Sequence, residues 1–224
     1  MTRAEFTRLI DHTALQPETT KDDIRRVCEE ARTFGFGAVC VAPIWVRFAG
    51  ECLAGSPVRI VTVIGFPHGN TIPDVKAYEA KLVIEAGAHE LDMVIQIGLL
   101  RGGNHGAVLD DIQSVVNVAR RAVRSKILVK VILETGLLTK DEQKTGCQLA
   151  EKAGADFVKT SSGFAGNPVT IEDVGFLRRT VGERLGVKAA GGIRDLVTAL
   201  TLINAGASRL GSSSSVSIMN MWPV

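Results

Sequence analysis

The segments IEAGAHELDMVI, EKAGADFVKTSS and INAGASRLGSSS repeat one pattern: the end of a helix, an Ala-Gly-Ala joint, then an apolar strand. In each, the glycine (Gly87, Gly154, Gly206) falls where a finished helix needs a left-handed residue, a conformation that costs glycine nothing because it has no Cβ. TFGFGAVCVAP is a looser fourth copy. A chain that keeps passing from helix to strand through so short a joint lays its strands down in one direction. The pattern therefore demands a parallel sheet covered by helices.

Apolar strand candidates follow in order at residues 9–12, 38–42, 59–65, 90–95, 127–133, 155–160, 186–190 and 207–211. Between them run TTKDDIRRVCEEARTFG, PDVKAYEAKLVIEAG, LDDIQSVVNVARRAVR, TKDEQKTGCQLAEKAG, TIEDVGFLRRTVGERLG and DLVTALTLINAG, with apolar residues at spacings of three and four. Thr20 before Asp23 and Thr139 before Glu142 read as capping boxes. Eight strands alternating with helices in 224 residues point to a single (β/α)8 TIM barrel over residues 1–224, with no linker dividing the chain. An open doubly wound sheet is the alternative, but the first strand is not followed by GxGxxG.

Composition narrows the function. Lys+Arg 26 against Asp+Glu 24 leaves a net charge of +2, which argues against a nucleic-acid partner; Arg120, Arg121 and Arg124 read as one solvated helix face. Cys28, Cys40, Cys52 and Cys147 form no CxxC pair and do not cluster with histidine, so no metal site is expected. With no signal-like leader and no run of 18 apolar residues, a cytosolic protein with no membrane association is expected.

Seven of the ten lysines, Lys76 among them, fall on helices, their edges or loops; Lys130, Lys159 and Lys188 interrupt the fifth, sixth and seventh strands. A lysine inside a strand needs a countercharge or must lose its proton. Asp92 in ELDMVI, Asp11 in LIDHT and Glu134 after KVIL are the matching carboxylates. A structural ion pair accounts for any one such lysine. Three on consecutive strands are expected to crowd one barrel mouth and to lower one another's pKa, and a neutral lysine attacks carbonyl carbon to form a Schiff base. Gly163, Gly191 and Gly192, with Gly211, Ser213 and Ser214 after the last strand, stand where barrels commonly hold phosphate, so a phosphorylated substrate is expected. His12 and His68 lack metal-ligand spacing and are assigned no chemistry.

The segments LIDHTALQP, VCVAP, VIGFPHGN, KAYEA, ELDMVI, VKVILETGLL, GADFVKTSSGF, VKAAGGIRD and RLGSSS, in this order across nearly the whole chain, resemble the deoxyribose-phosphate aldolase family. The resemblance implies a class I aldolase that needs no cofactor or metal and reversibly cleaves 2-deoxy-D-ribose 5-phosphate to acetaldehyde and D-glyceraldehyde 3-phosphate. By position, Lys159 looks like the Schiff-base nucleophile, Lys188 like the neighbour that depresses its pKa, and Asp92 like the acid/base. Lys130 and Asp11 look like supporting members, and Gly163, Gly191, Gly192, Gly211, Ser213 and Ser214 match the phosphate loops. The chain departs from the common pattern at Gln96 and Ala42, where many members carry Asn, in GFAGNPVT, and in lacking a terminal Tyr. Another class I aldolase with a different sugar phosphate, and a silent phosphosugar-binding barrel, are the competing readings. A homodimer is expected.

Overall fold

Gly87, Gly154 and Gly206 have φ of 112°, 82° and 114°, and each ends its helix in the same way. The amide of the following alanine donates back to the helix, Ala88 to Val83 O at 3.0 Å, Ala155 to Ala150 O at 3.1 Å and Ala207 to Leu202 O at 3.0 Å. This six-to-one wrap closes the last turn and aims the chain at the sheet. The Ala-Gly-Ala joints thus act as three copies of one hinge geometry.

The computed structural model describes residues 1–122 and 126–223; Arg124, expected on a helix face, lies outside the described residues. The strands are β1 (Ile10–Ala14), β2 (Ala38–Val41), β3 (Arg59–Ile64), β4 (Glu90–Val94), β5 (Leu128–Ile132), β6 (Phe157–Lys159), β7 (Gly186–Ala190) and β8 (Arg209–Ser212). They pair in sequence order, all parallel, and β8 closes on β1. This is the expected (β/α)8 barrel. The helices are α1 (Arg3–Thr7), α2 (Lys21–Phe34), α3 (Val46–Cys52), α4 (Pro73–Glu85), α5 (Ile97–Arg101), α6 (His105–Arg120), α7 (Lys140–Lys152), α8 (Ile171–Val181), α9 (Leu196–Asn204) and α10 (Ser215–Asn220). No helix among the described residues is long and apolar enough to cross a membrane.

Both expected capping boxes form, at Thr20 with Asp23 and at Thr139 with Glu142. Boundaries differ where local chemistry intervenes. Helix α6 starts at His105, ahead of its apolar pattern, because the Asn104 side chain accepts the Ala107 amide. Helix α8 stops at Val181, short of its pattern, because Gly182 takes φ 55° and ψ −137°, outside the helical region.

The apolar core has two parts. A large shell of Ile, Leu, Val and Ala fills the space between sheet and helices. A small separate cluster, Ala38, Cys40, Val61 and Val63 with Leu15 and Phe66, sits inside the barrel on β2 and β3. Beside it an ionic network occupies the middle of the barrel, with Val94, Ile132 and Ala190 on the same inner faces toward the strand ends.

Candidate active site

Strand alternation decides which side chains enter the barrel. Glu90 and Asp92 on β4 stand two residues apart and share its inner face. The register sets Asp92 beside Lys130 of β5, Lys159 of β6 beside Lys188 of β7, and Lys188 beside Arg209 of β8. Asp11 enters from β1. Six strands therefore feed one cluster.

Asp92 is its hub. Its Oδ2 accepts Lys159 Nζ at 2.8 Å and Lys188 Nζ at 2.7 Å, and its Oδ1 accepts Lys130 Nζ at 2.9 Å. Below it, Lys130 Nζ lies 2.6 Å from Glu90 Oε2 and 4.0 Å from Asp11 Oδ2, while Lys188 also bonds Asp11. Arg209 forms the floor, donating to Asp11 Oδ1 at 2.6 Å and to Glu90 Oε1 at 3.1 Å. Asp11, Glu90, Asp92, Lys130 and Lys188 are fully buried; Lys159 keeps 3% of its surface, so it is the amine that meets the mouth.

Burial pushes the Asp92 carboxyl up, but Lys130, Lys159 and Lys188 together hold it well below the carboxylate range. Asp11 behaves alike: burial raises it, and Lys188, Arg209 and Lys130 bring it down to about 2. The expectation that neighbouring ammonium groups lower one another's pKa does not hold for Lys188. Burial does push it down, yet Asp11 and Asp92 outweigh burial and raise it, so Lys188 stays a cation. What the site offers is a permanently ionised carboxylate joining a fixed cation to the mouth lysine.

The loops after β6, β7 and β8 are stitched together above the lysines. Thr160 Oγ1 donates to Ala190 O at 3.0 Å and accepts the Ala190 amide at 3.1 Å, and Ser212 Oγ donates to Ile193 O at 2.7 Å. Gly163, Gly191 and Gly192 have φ of 88°, 107° and 75°, conformations that suit glycine and bring backbone close to the rim. Ser213 is exposed, and Ser214 flanks α10 with its amide donated to Ser212 Oγ at 2.9 Å. Gly211 lies inside β8 rather than in a loop, and a Cβ there would stand 3.2 Å from Lys188 Cε. Its local role is to let the Lys188 side chain pass.

Glu134 adopts φ 59° and ψ 63° and accepts the Ser162 amide at 3.0 Å. A left-handed non-glycine residue carries strain of about 1–3 kcal/mol, here held by a bond that fixes the loop beyond Lys159. Phe66 and Phe164 meet edge to face at 5.1 Å, joining the turn after β3 to the loop after β6. His12 points out of the barrel to Glu30 at 2.7 Å. Among the described residues no three His, Cys, Asp or Glu side chains gather as metal ligands.

Lys159, Asp92, Lys188, Lys130 and Asp11 are thus brought into one network, with the predicted glycines and serines at or near its rim apart from Gly211. Sequence reasoning missed Glu90 and Arg209. Both are inward by alternation, Glu90 two residues before Asp92 and Arg209 two before Gly211, and that parity is the signal that finds them.

Comparison with known proteins gives a consistent match. Residues 7–215 fit the family model described as DeoC/LacD family aldolase. The chain is 52% identical over 214 residues to the deoxyribose-phosphate aldolase of Halalkalibacterium halodurans, covering 95% of this chain and 94% of that one. It is 52% identical over 215 residues to the deoxyribose-phosphate aldolase of Streptococcus gordonii, covering 96% of each. Among solved structures it superposes on the tetrameric deoxyribose phosphate aldolase of Aeropyrum pernix with a TM-score of 0.91 at 33% identity, covering 98% of this chain and 91% of that one.

Proposed function

The chain belongs to the DeoC/LacD family of aldolases, and from that premise we propose that it reversibly cleaves 2-deoxy-D-ribose 5-phosphate to acetaldehyde and D-glyceraldehyde 3-phosphate through an imine on Lys159. One observation carries the proposal: Lys159 and Lys188 share a single oxygen of a buried, ionised Asp92, with only Lys159 at the mouth.

In this reading neutral Lys159 Nζ adds to the aldehyde carbon of the open-chain sugar, and loss of water gives a protonated imine. The imine withdraws electrons, so the bond between the second and third carbons breaks as the third-carbon hydroxyl gives up its proton. Glyceraldehyde 3-phosphate leaves, and the remaining enamine is protonated at its terminal carbon and hydrolysed to acetaldehyde, which frees the lysine. Asp92 moves protons in the addition, dehydration and enamine steps, relayed by water, while Lys188 supplies the fixed positive charge that favours an uncharged amine beside it. Lys130 and Asp11 hold Asp92 and Lys188 in place. Gly163, Gly191, Gly192, Ser213 and Ser214, with Gly211 setting the strand below them, hold the phosphate, whose binding energy orients the reacting carbons.

The test is reductive trapping. Borohydride with deoxyribose 5-phosphate or acetaldehyde, followed by peptide mapping, is expected to leave a two-carbon adduct on Lys159. A folded sample with no adduct on any lysine would make the strand lysines structural ions. The same proposal includes a cytosolic homodimer. Exposed Ile44, Val75, Tyr78 and Leu82 line one groove of about 800 Å³ between α4, the turn after β3 and the segment after β2. Light scattering that finds only monomer would remove the dimer.

A further inference from the structure

The buried network does not balance. Lys130, Lys159, Lys188 and Arg209 supply four cations, and Asp11, Glu90 and Asp92 supply three carboxylates. Arg59 touches Glu90 at 3.6 Å but is half exposed and shares its charge with solvent. An uncompensated charge in a dry interior is costly, and the cheapest remedy is for one member to release a proton. Arginine does not do so. Lys188 faces two carboxylates and Lys130 contacts three. Lys159 has one contact, on an oxygen it shares with Lys188.

Arg209 sits at the other end of the network and occupies Asp11 and Glu90. Every carboxylate oxygen it holds is withheld from the lysines. Glu90 acts in the opposite sense: it engages Lys130, and without it Lys130 would draw harder on Asp92 and leave less of that carboxylate for Lys159. We infer that Arg209 and Glu90, neither of which reaches the mouth, set the proton occupancy of Lys159 in opposite directions, Arg209 by driving the proton off and Glu90 by retaining it. They are positioning residues. The other groups that face Lys159 are accounted for. Asp92 comes from β4, Lys130 from β5, Lys188 from β7 and Asp11 from β1, while β3 presents Val61 and Val63. Cys40 on β2 has its thiol pushed up to about 11, by burial first, and stays neutral, and Glu134 after β5 is engaged by the Ser162 amide.

This inference rests on the imine at Lys159, and its test separates the two. The rate of borohydride trapping at Lys159 is measured against pH in the wild type, Glu90→Gln, Arg209→Met and Arg209→Lys. The rising limb is expected to move to lower pH in Glu90→Gln and to higher pH in Arg209→Met, each by about one unit. At a fixed pH below the limb, Arg209→Met then traps about tenfold more slowly. Arg209→Lys, which keeps the charge, is expected to restore the wild-type position. Limbs that coincide, or that move in the same direction while only the amplitude falls, would show that both residues merely hold the barrel together and overturn the inference. Should Arg209→Met fail to fold, the isosteric Glu90→Gln decides alone, an unmoved limb overturning it. A wild type with no Lys159 adduct overturns the proposed function and this inference together.

Discussion

The molecule buries lysine in two places and treats it differently in each. Lys76 on α4 and Asp111 on α6 form a sealed pair at 2.7 Å, both fully buried, with Val94 O as a second acceptor for the ammonium at 2.8 Å. The barrel lysines share three carboxylates with each other and with an arginine. In the sealed pair one positive charge meets one negative charge, and burial is the leading influence on both partners, lowering Lys76 and raising Asp111. In the barrel the surplus cation cannot be cancelled by its neighbours, and the least engaged lysine lies at the opening. A balanced buried pair ties two helices to a strand end, whereas the unbalanced cluster leaves one amine under-compensated at the mouth, the amine proposed above as the nucleophile.

The largest effect that bears on this contrast is the loss of the mouth amine. Lys159→Ala is expected to lower kcat/KM by about 10⁴-fold or more while leaving the urea midpoint near wild type; a variant that keeps most of its activity would make the barrel cluster as structural as the Lys76 pair. Next comes Lys76→Met, which strands the Asp111 carboxylate and is expected to cost about 3–5 kcal/mol in denaturant unfolding. The folded fraction should turn over within a few-fold of wild type, and a specific loss of kcat would erase the distinction between the two sites.

Acid unfolding gives a smaller and more discriminating effect. Asp11 has a folded pKa depressed to about 2, so its contribution is complete above the unfolded value of about 4 and is lost as pH falls between the two. Asp111 is raised, so its contribution has the opposite sign, greatest at low pH and declining as pH rises through the unfolded value. Asp11→Asn is therefore expected to remove roughly 2 kcal/mol of the wild type's stability loss between about pH 4 and 2, measured by urea midpoints; an unchanged acid slope would show that Asp11 is not held ionised. The smallest expected effect is that of Lys76→Met combined with Asp111→Leu, which replaces the pair with apolar groups of similar size and should lie within about 1 kcal/mol of wild type. A double variant as unstable as Lys76→Met alone would mean that the Val94 carbonyl, rather than the ion pair, carries the tie.

The same contrast marks what the sequence made legible. The barrel lysines were readable because a charge inside a strand of Val, Ile and Leu has nowhere to go but inward or into conflict. The three Ala-Gly-Ala joints and two capping boxes were readable because each is complete within six residues. Lys76 was hidden by its helix: in PDVKAYEAKLVIE, Val75, Tyr78 and Leu82 face outward while Lys76 faces in with Ala80 and Val83, so α4 is apolar on both sides and its pattern does not tell inside from outside. Arg209 was hidden for another reason, since strand parity places it inward but only closure of β8 onto β1 brings Asp11 within its reach. Family membership supplies the aldol chemistry, and no local pattern within the chain would have supplied it alone.

Gly211 also constrains the design through volume. A barrel of eight strands encloses a fixed interior, and long polar side chains from six of them already crowd it. With Cβ of Ala190 and Cε of Lys188 each 3.2 Å from where a methyl at 211 would sit, the room for one lysine is the room that another strand gives up. The mouth of this barrel is therefore limited by occupancy as well as by charge: one added methyl on β8 would press on Lys188, which bonds both Asp11 and Asp92, and an eighth long polar side chain would need a second such vacancy.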